Sequence, residues 1–227
     1  MESYSNLHCQ FELSSIEFMN KDCVYVVDDD CDVRKGLTRT LSQEGFDVKA
    51  YKTAREFLDN NNIEGPGCGC LILDVRMPGM SGLDLQRNLS ESGRGVPIIF
   101  ITGHGDIPMS VRAIKDGAFE FLEKPYNVDD LIKKIHEAID YGRKKVSKYQ
   151  EKVLVTARYE KLTAREKEVL GLLVAGSANT SNKLIAKRLD ISHRTVDDHR
   201  AKIMLKMEAN SITELVEMAK IAGVYSP

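Results

Sequence analysis

Cys70-Leu71-Ile72-Leu73 is an apolar, β-favouring run that stops abruptly on Asp74, after which Pro78-Gly79 forces a loop. An apolar run of this length between turn signals predicts a strand buried on both faces. The same grammar recurs through the first half of the chain. Cys23–Val27 stops on Asp28-Asp29-Asp30, Phe46–Tyr51 is a short strand, Val96–Ile101 stops on Thr102, and Ala118–Leu122 gives way to Glu123-Lys124-Pro125. Helix-spaced segments alternate with these runs. They are Val33, Leu37 and Leu41 up to Gly45, a segment capped by Thr53 to about Asn61, Leu83–Leu89, Ile107–Asp116, and Val128 through Ile139. Asn60–Gly69 reads as loop. Five strands alternating with five helices predict an α/β fold, a doubly wound five-stranded parallel sheet covered on both faces.

In such a sheet the carboxyl ends of the strands share one edge, where ligands gather. That edge would collect Asp28, Asp29, Asp74, Thr102 and Lys124. Each residue alone has a blander explanation, since Asp often opens a turn and lysine often pairs with it. An acidic loop cluster held by a structural lysine does not explain why all of them fall at strand ends. Three carboxylates packed together repel one another unless a cation holds them. An oxygen-only donor set suits Mg²⁺ before Ca²⁺, because Mg²⁺ keeps waters and needs few protein carboxylates. A carboxylate beside Mg²⁺ can attack a phosphoryl group and form an aspartyl phosphate. Thr102 would then donate to a phosphoryl oxygen and Lys124 would neutralise another.

At 227 residues the chain is long enough for two domains, and its charge is unevenly divided. Residues 23–140 carry 14 Lys+Arg against 20 Asp+Glu, whereas 141–227 carry 17 against 10. An acidic half suited to a cation is followed by a basic half suited to an anion. The five cysteines are odd in number and form no CxxC pair, which argues against a disulfide framework or a zinc site. No stretch has the length and apolarity of a membrane span, and no signal-peptide pattern is visible, so a cytoplasmic protein is expected. Residues 1–22 carry little pattern and read as a flexible extension, with Met19 as an alternative start.

Residues 141–160 are basic, with Val146, Tyr149, Val153 and Ala157 at helical spacing; they read as a linker helix. An alternative is a continuation of the preceding helix that pairs between subunits. From 161 to 227 the pattern is all helical. Thr163 and Glu166 form a capping box, followed by Val169, Leu170 and Leu173 up to Gly176. Leu184–Leu189 is a short helix, and Ser192 caps a longer one over His193–Met207. Ile212, Leu215, Val216 and Ala219 mark a fourth. Two helices joined by a brief turn, the second long and basic, are what a helix-turn-helix requires. With Val196 and Ile203 turned to the core, His193, Arg194, Asp197, Asp198, Ala201 and Lys202 would face outward.

VYVVDDD, LILDVRMPGMSG, IIFITGHGD and FEFLEKP, in that order, resemble the receiver domain of two-component response regulators, and GHGDIPMSV resembles the FixJ branch in particular. LTAREKEVL, ISHRTVDDHRAKIMLKM and ELVEMA resemble the DNA-binding domain of the LuxR/NarL/FixJ family. The resemblance implies that Asp74 is the phosphoacceptor, with Thr102 and Phe121 as switch residues and Lys124 as the phosphate-pairing lysine. It implies that Mg²⁺ is held directly by Asp29, Asp74 and the main-chain carbonyl of Arg76, with Asp28 acting through water. Arg76 and His104 would set how fast the phosphoryl group is lost. DNA contacts are implied at Lys183, Arg194, Thr195, His199, Arg200 and Lys202, with Asp197 and Asp198 at the specificity positions. A dimer face is expected at Val111, Arg112, Lys115 and Glu120. The implied partners are a sensor histidine kinase, promoter DNA, a second copy on phosphorylation, and RNA polymerase. The only chemistry expected is acceptance and slow hydrolysis of the phosphoryl group, so the chain is not expected to be an enzyme.

Two departures from the family pattern stand out. The segment from Gly176 to Lys183 carries about three residues more than usual, so the turn there should bulge. Two adjacent acids on the reading helix should weaken non-specific binding. They keep open a phospho-independent scaffold, and the shared DNA-binding domain keeps open a regulator with a different, small-molecule input.

Overall fold

The computed structural model describes residues 22–60, 69–92, 95–103, 107–175 and 182–224. The expectations for the extension up to residue 21, most of the loop at 60–69, His104, Gly176 and the inserted residues 177–181 lie outside them. Two compact units divide the chain at Val146 and Ser147.

The first unit is a five-stranded sheet. Its strands are β1 (Cys23–Val27), β2 (Asp47–Tyr51), β3 (Cys70–Asp74), β4 (Ile98–Thr102) and β5 (Glu120–Glu123). They lie in the order β2-β1-β3-β4-β5, every pairing parallel. Helices α1 (Cys31–Gln43), α2 (Ala54–Asn60), α3 (Gly82–Glu91), α4 (Ile107–Lys115) and α5 (Val128–Glu160) alternate with them. Successive side chains of a strand point to opposite faces, and this splits the apolar runs between two cores. Tyr25, Val27, Leu71, Leu73 and Phe100 pack with Phe57, Leu85, Leu89 and Ala113. Val24, Val26, Ile72, Ile99 and Ile101 pack with Leu37, Leu41, Leu131, Ile135 and Ile139. The continuous apolar character of β3 and β4 follows from burial on both faces, whereas the edge strand β2 is polar and largely exposed.

Several element ends differ from the sequence expectation. β4 extends through Thr102, which is therefore the last residue of the strand. α4 ends at Lys115 because Gly117 turns left-handed (φ +95°) and Ala118 N–H closes onto the Ala113 carbonyl at 3.0 Å, so β5 begins only at Glu120. The linker is not a separate helix: α5 runs from Val128 to Glu160, and its Val155 and Tyr159 belong to the second core. Among the described cysteines, Cys70 is buried, its thiol pushed up by that burial; Cys23 is half-buried and Cys31 exposed.

The second unit adds α6 (Ala164–Ala175), α7 (Asn182–Leu189), α8 (His193–Met207) and α9 (Ile212–Ile221). Val169, Leu170, Ile185, Val196, Ile203, Met207 and Leu215 form its core. Thr163 Oγ1 accepts from Glu166 N–H at 3.3 Å and Glu166 Oε2 accepts from Thr163 N–H at 2.8 Å, the expected capping box. Ser192 Oγ accepts from Thr195 N–H at 3.1 Å and starts α8.

Candidate functional site

Parallel register sets the first site. Val27 pairs with Leu73, so Asp28 follows β1 where Asp74 ends β3, and Asp74 pairs in turn with Ile101, one residue before Thr102. Asp28, Asp74 and Thr102 are all buried. From β5, Lys124 reaches back across the edge. Its Nζ donates to Asp28 Oδ2 at 2.9 Å and to Asp74 Oδ1 at 3.4 Å, while its backbone N–H donates to the Thr102 carbonyl at 2.8 Å. Arg76 N–H donates to Asp74 Oδ2 at 2.8 Å.

Burial, and then the like charge of Asp28, hold the Asp74 carboxyl above its ordinary value, although Lys124 and the Arg76 N–H pull the other way. Burial opposes the Lys124 charge, but its bonds to Asp28 and Asp74 prevail and raise its pKa. A carboxylate that resists ionisation beside a second carboxylate is the environment a divalent cation relieves. Among the described residues no three His, Cys, Asp or Glu side chains converge as a metal cage. The two buried carboxylates supply an oxygen-only donor pair, which suffices for a cation that keeps several of its own waters.

The three aspartates after β1 have separate roles. Asp28 faces the site, Asp29 is exposed, and Asp30 caps α1 by accepting from Asp32 N–H at 2.8 Å and Val33 N–H at 3.3 Å. Those two backbone bonds are the main reason the Asp30 carboxyl is held below its ordinary value.

Several supporting residues escaped the sequence reading. Arg34 Nη1 donates to the Asp28 carbonyl at 2.6 Å. Ser81 and Asp84 form a capping box that starts α3, a signal present in the sequence as Ser-x-x-Asp. Gly82 is required because a Cβ there would lie 2.2 Å from the Asp74 carbonyl oxygen. Gln86 Nε2 donates to the Ala113 carbonyl at 3.0 Å, tying α3 to α4.

Phe121 is half-buried with its ring 6.2 Å from that of Phe100. Of the expected dimer face, Val111, Arg112 and Lys115 are exposed, together with the neighbouring Ile114. Glu120 is half-buried and pairs with Lys134 at 2.9 Å.

In the second unit, Val196 and Ile203 are fully buried, and His193, Arg194, Asp197, Asp198, Ala201 and Lys202 are exposed, as the helical spacing requires. Lys183 is exposed on α7. Three of the expected contacts have internal partners. The Thr195 hydroxyl lies 2.8 Å from Ser192 Oγ, while Asp197 and Arg200 both hydrogen-bond Asn182. His199 is half-buried, and its Nδ1 has no partner among the described residues.

Comparison with known proteins matches residues 24–136 to the response regulator receiver domain and 160–219 to the bacterial regulatory proteins of the luxR family. The chain is 44% identical to response regulator protein TmoT of Ectopseudomonas mendocina over 87% of each chain. It is 41% identical to transcriptional regulatory protein FixJ of Bradyrhizobium diazoefficiens, covering 91% of this chain and 98% of that one. Among solved structures, response regulator StyR superposes with a TM-score of 0.74 at 41% identity, covering 88% of this chain and 99% of that one.

Proposed function

This chain belongs to the response regulators, a receiver domain joined to a LuxR-family regulatory domain as in FixJ, and on that premise we propose that Asp74 is its phosphoacceptor and that phosphorylation by a sensor histidine kinase controls its binding to promoter DNA. The observation that carries this reading is the lysine bridge, with Lys124 holding Asp28 and Asp74 together at the carboxyl edge of the sheet.

An oxygen of the Asp74 carboxylate attacks the phosphorus of the kinase's phosphohistidine. The new P–O bond forms as the P–N bond breaks, and the imidazole leaves with the electron pair and takes up a proton. Lys124 pairs with a phosphoryl oxygen, and the Thr102 hydroxyl donates to another in the active state. Mg²⁺, held by Asp29, Asp74 and the Arg76 carbonyl with Asp28 acting through water, would supply neutralisation of the phosphoryl charge. A phosphoryl group shifts a conformational equilibrium only by its differential affinity for the two states. Contact with Thr102 in one state provides that difference, and Phe121 follows it inward.

The outcome is homodimerisation through Val111, Arg112, Lys115 and Glu120, DNA binding through α8, and contact with RNA polymerase. The chain acts in the cytoplasm and turns over no separate substrate. Among the described residues no helix is long and apolar enough to cross a membrane. The test is intact-mass measurement after incubation with acetyl phosphate and Mg²⁺. Wild type should gain one phosphoryl group and Asp74→Asn none; equal labelling of the two would overturn the assignment.

A further inference from the structure

Asn182 opens α7, and its side-chain amide uses both of its polar atoms on α8. Nδ2 donates to Asp197 Oδ1, and Oδ1 accepts from Arg200 Nη1. Residues three apart share a helix face, so Asp197 and Arg200 lie together on the flank of α8 that meets α7. Val196 and Ile203, fully buried, pin the inner face. Asp198 and Lys202, four apart and exposed, stand on another face, and the Asp198 carboxylate has no partner among the described residues. The two acids that are adjacent in the sequence are thus in different situations. Asp197 has an oxygen already occupied and a cation held close by through the amide. Asp198 is an exposed carboxylate with no such partner.

We infer that Asn182 is a positioning residue that presents Arg200 to a DNA phosphate, with Asp197 as its anchor, and that Asp198 is the acid on α8 that discriminates base pairs. An arginine ordered before DNA arrives loses less side-chain freedom on binding, so the clamp raises affinity for every sequence alike. A carboxylate free to approach a base edge accepts from a cytosine amino group and is repelled by phosphates elsewhere. The inference rests on α8 being the DNA-reading helix.

Full-length protein treated with acetyl phosphate is used to select from a random duplex library, and the selected and scrambled duplexes are then titrated by fluorescence anisotropy across a salt series. Asn182→Ala should weaken binding to all duplexes by roughly three- to ten-fold, with the base preferences and the salt slope unchanged. Arg200→Ala should weaken binding and make the slope shallower by about one unit, and the double variant should bind like Arg200→Ala. Asp197→Asn, which keeps an acceptor for the Asn182 amide at an exposed position, should keep the wild-type preferences. Asp198→Asn should flatten preference at one base pair and tighten binding to scrambled duplex. A lost base preference in Asp197→Asn, or independent losses at Asn182 and Arg200, would overturn the inference. A wild type without sequence preference would instead break the reading of α8. Urea unfolding of the same Asn182 and Arg200 variants then still decides the clamp, since strictly additive losses would refute it.

Discussion

Asp74 in the receiver and Glu166 in the helical unit are both buried carboxylates, and each is paired with a lysine, yet their acidities are displaced in opposite directions. Burial disfavours the charge of both. At Glu166 it is outweighed by Lys206 Nζ at 2.7 Å and the Thr163 N–H at 2.8 Å, so the carboxyl sits below its ordinary value. At Asp74 the lysine is farther off, at 3.4 Å, and is shared with Asp28, whose own charge adds to the penalty. Glu166 has every partner it needs and serves the fold. Asp74 is left under-compensated, the condition of a group that has a ligand still to meet.

The largest effect expected from this contrast comes from removing the lysines. Lys206→Met and Lys124→Met should each lower stability by about 1–3 kcal/mol in metal-free buffer, because each leaves a buried carboxylate without its cation. Added Mg²⁺ should restore much of the loss in Lys124→Met and none in Lys206→Met, measured by urea unfolding. Equal behaviour of the two would erase the distinction between the sites.

A smaller effect, opposite in sign at the two positions, should appear in pH dependence. The raised pKa of Asp74 means its ionised form costs stability, a cost present at neutral pH and gone once pH falls below the ordinary value of 3.8. Asp74→Asn should therefore melt above wild type at pH about 7 and lose that advantage in acid. Glu166 is the reverse. Its lowered pKa contributes stability above the ordinary value of 4.5 that is lost as pH falls through the folded-state value. Glu166→Gln should melt below wild type at neutral pH, the deficit closing in acid. Deficits of the same sign would show that the lysine, not the balance around each carboxylate, decides its role.

The smallest change in stability belongs to the exposed face. Lys202→Ala should shift unfolding by no more than about 0.5 kcal/mol, yet weaken binding to every duplex and make the salt slope shallower by about one unit. A stability loss comparable to that of Lys206→Met would mean that this lysine packs rather than faces DNA.

Much of both units was legible in the residue order. Apolar runs that stop on polar residues mark β1, β3 and β4, because a strand buried on both faces has no room for polarity until it reaches the edge. Since parallel strands place their carboxyl ends together, Asp28, Asp74, Thr102 and Lys124 could be grouped before any distance was known. The capping box at Thr163 and the cap at Ser192 were equally readable, being contacts between residues three apart. The helical period also sorted α8 correctly into Val196 and Ile203 inward and Asp198 and Lys202 outward.

What the sequence could not decide were contacts between distant residues and the balance of opposing terms. Asp28, Asp29 and Asp30 are indistinguishable as letters, and only the start of α1 makes the third a cap while the register makes the first a site residue. The pairing of Glu120 on β5 with Lys134 on α5, and the way Asn182 separates Asp197 from Asp198, both depend on which elements meet. The opposite displacements of Asp74 and Glu166 depend on lysine distances of 3.4 and 2.7 Å and on a second carboxylate arriving from another strand. Electrostatic energy in a poorly screened interior varies steeply over such distances, so residue types settle which groups meet, and tertiary packing settles which of them remain unsatisfied.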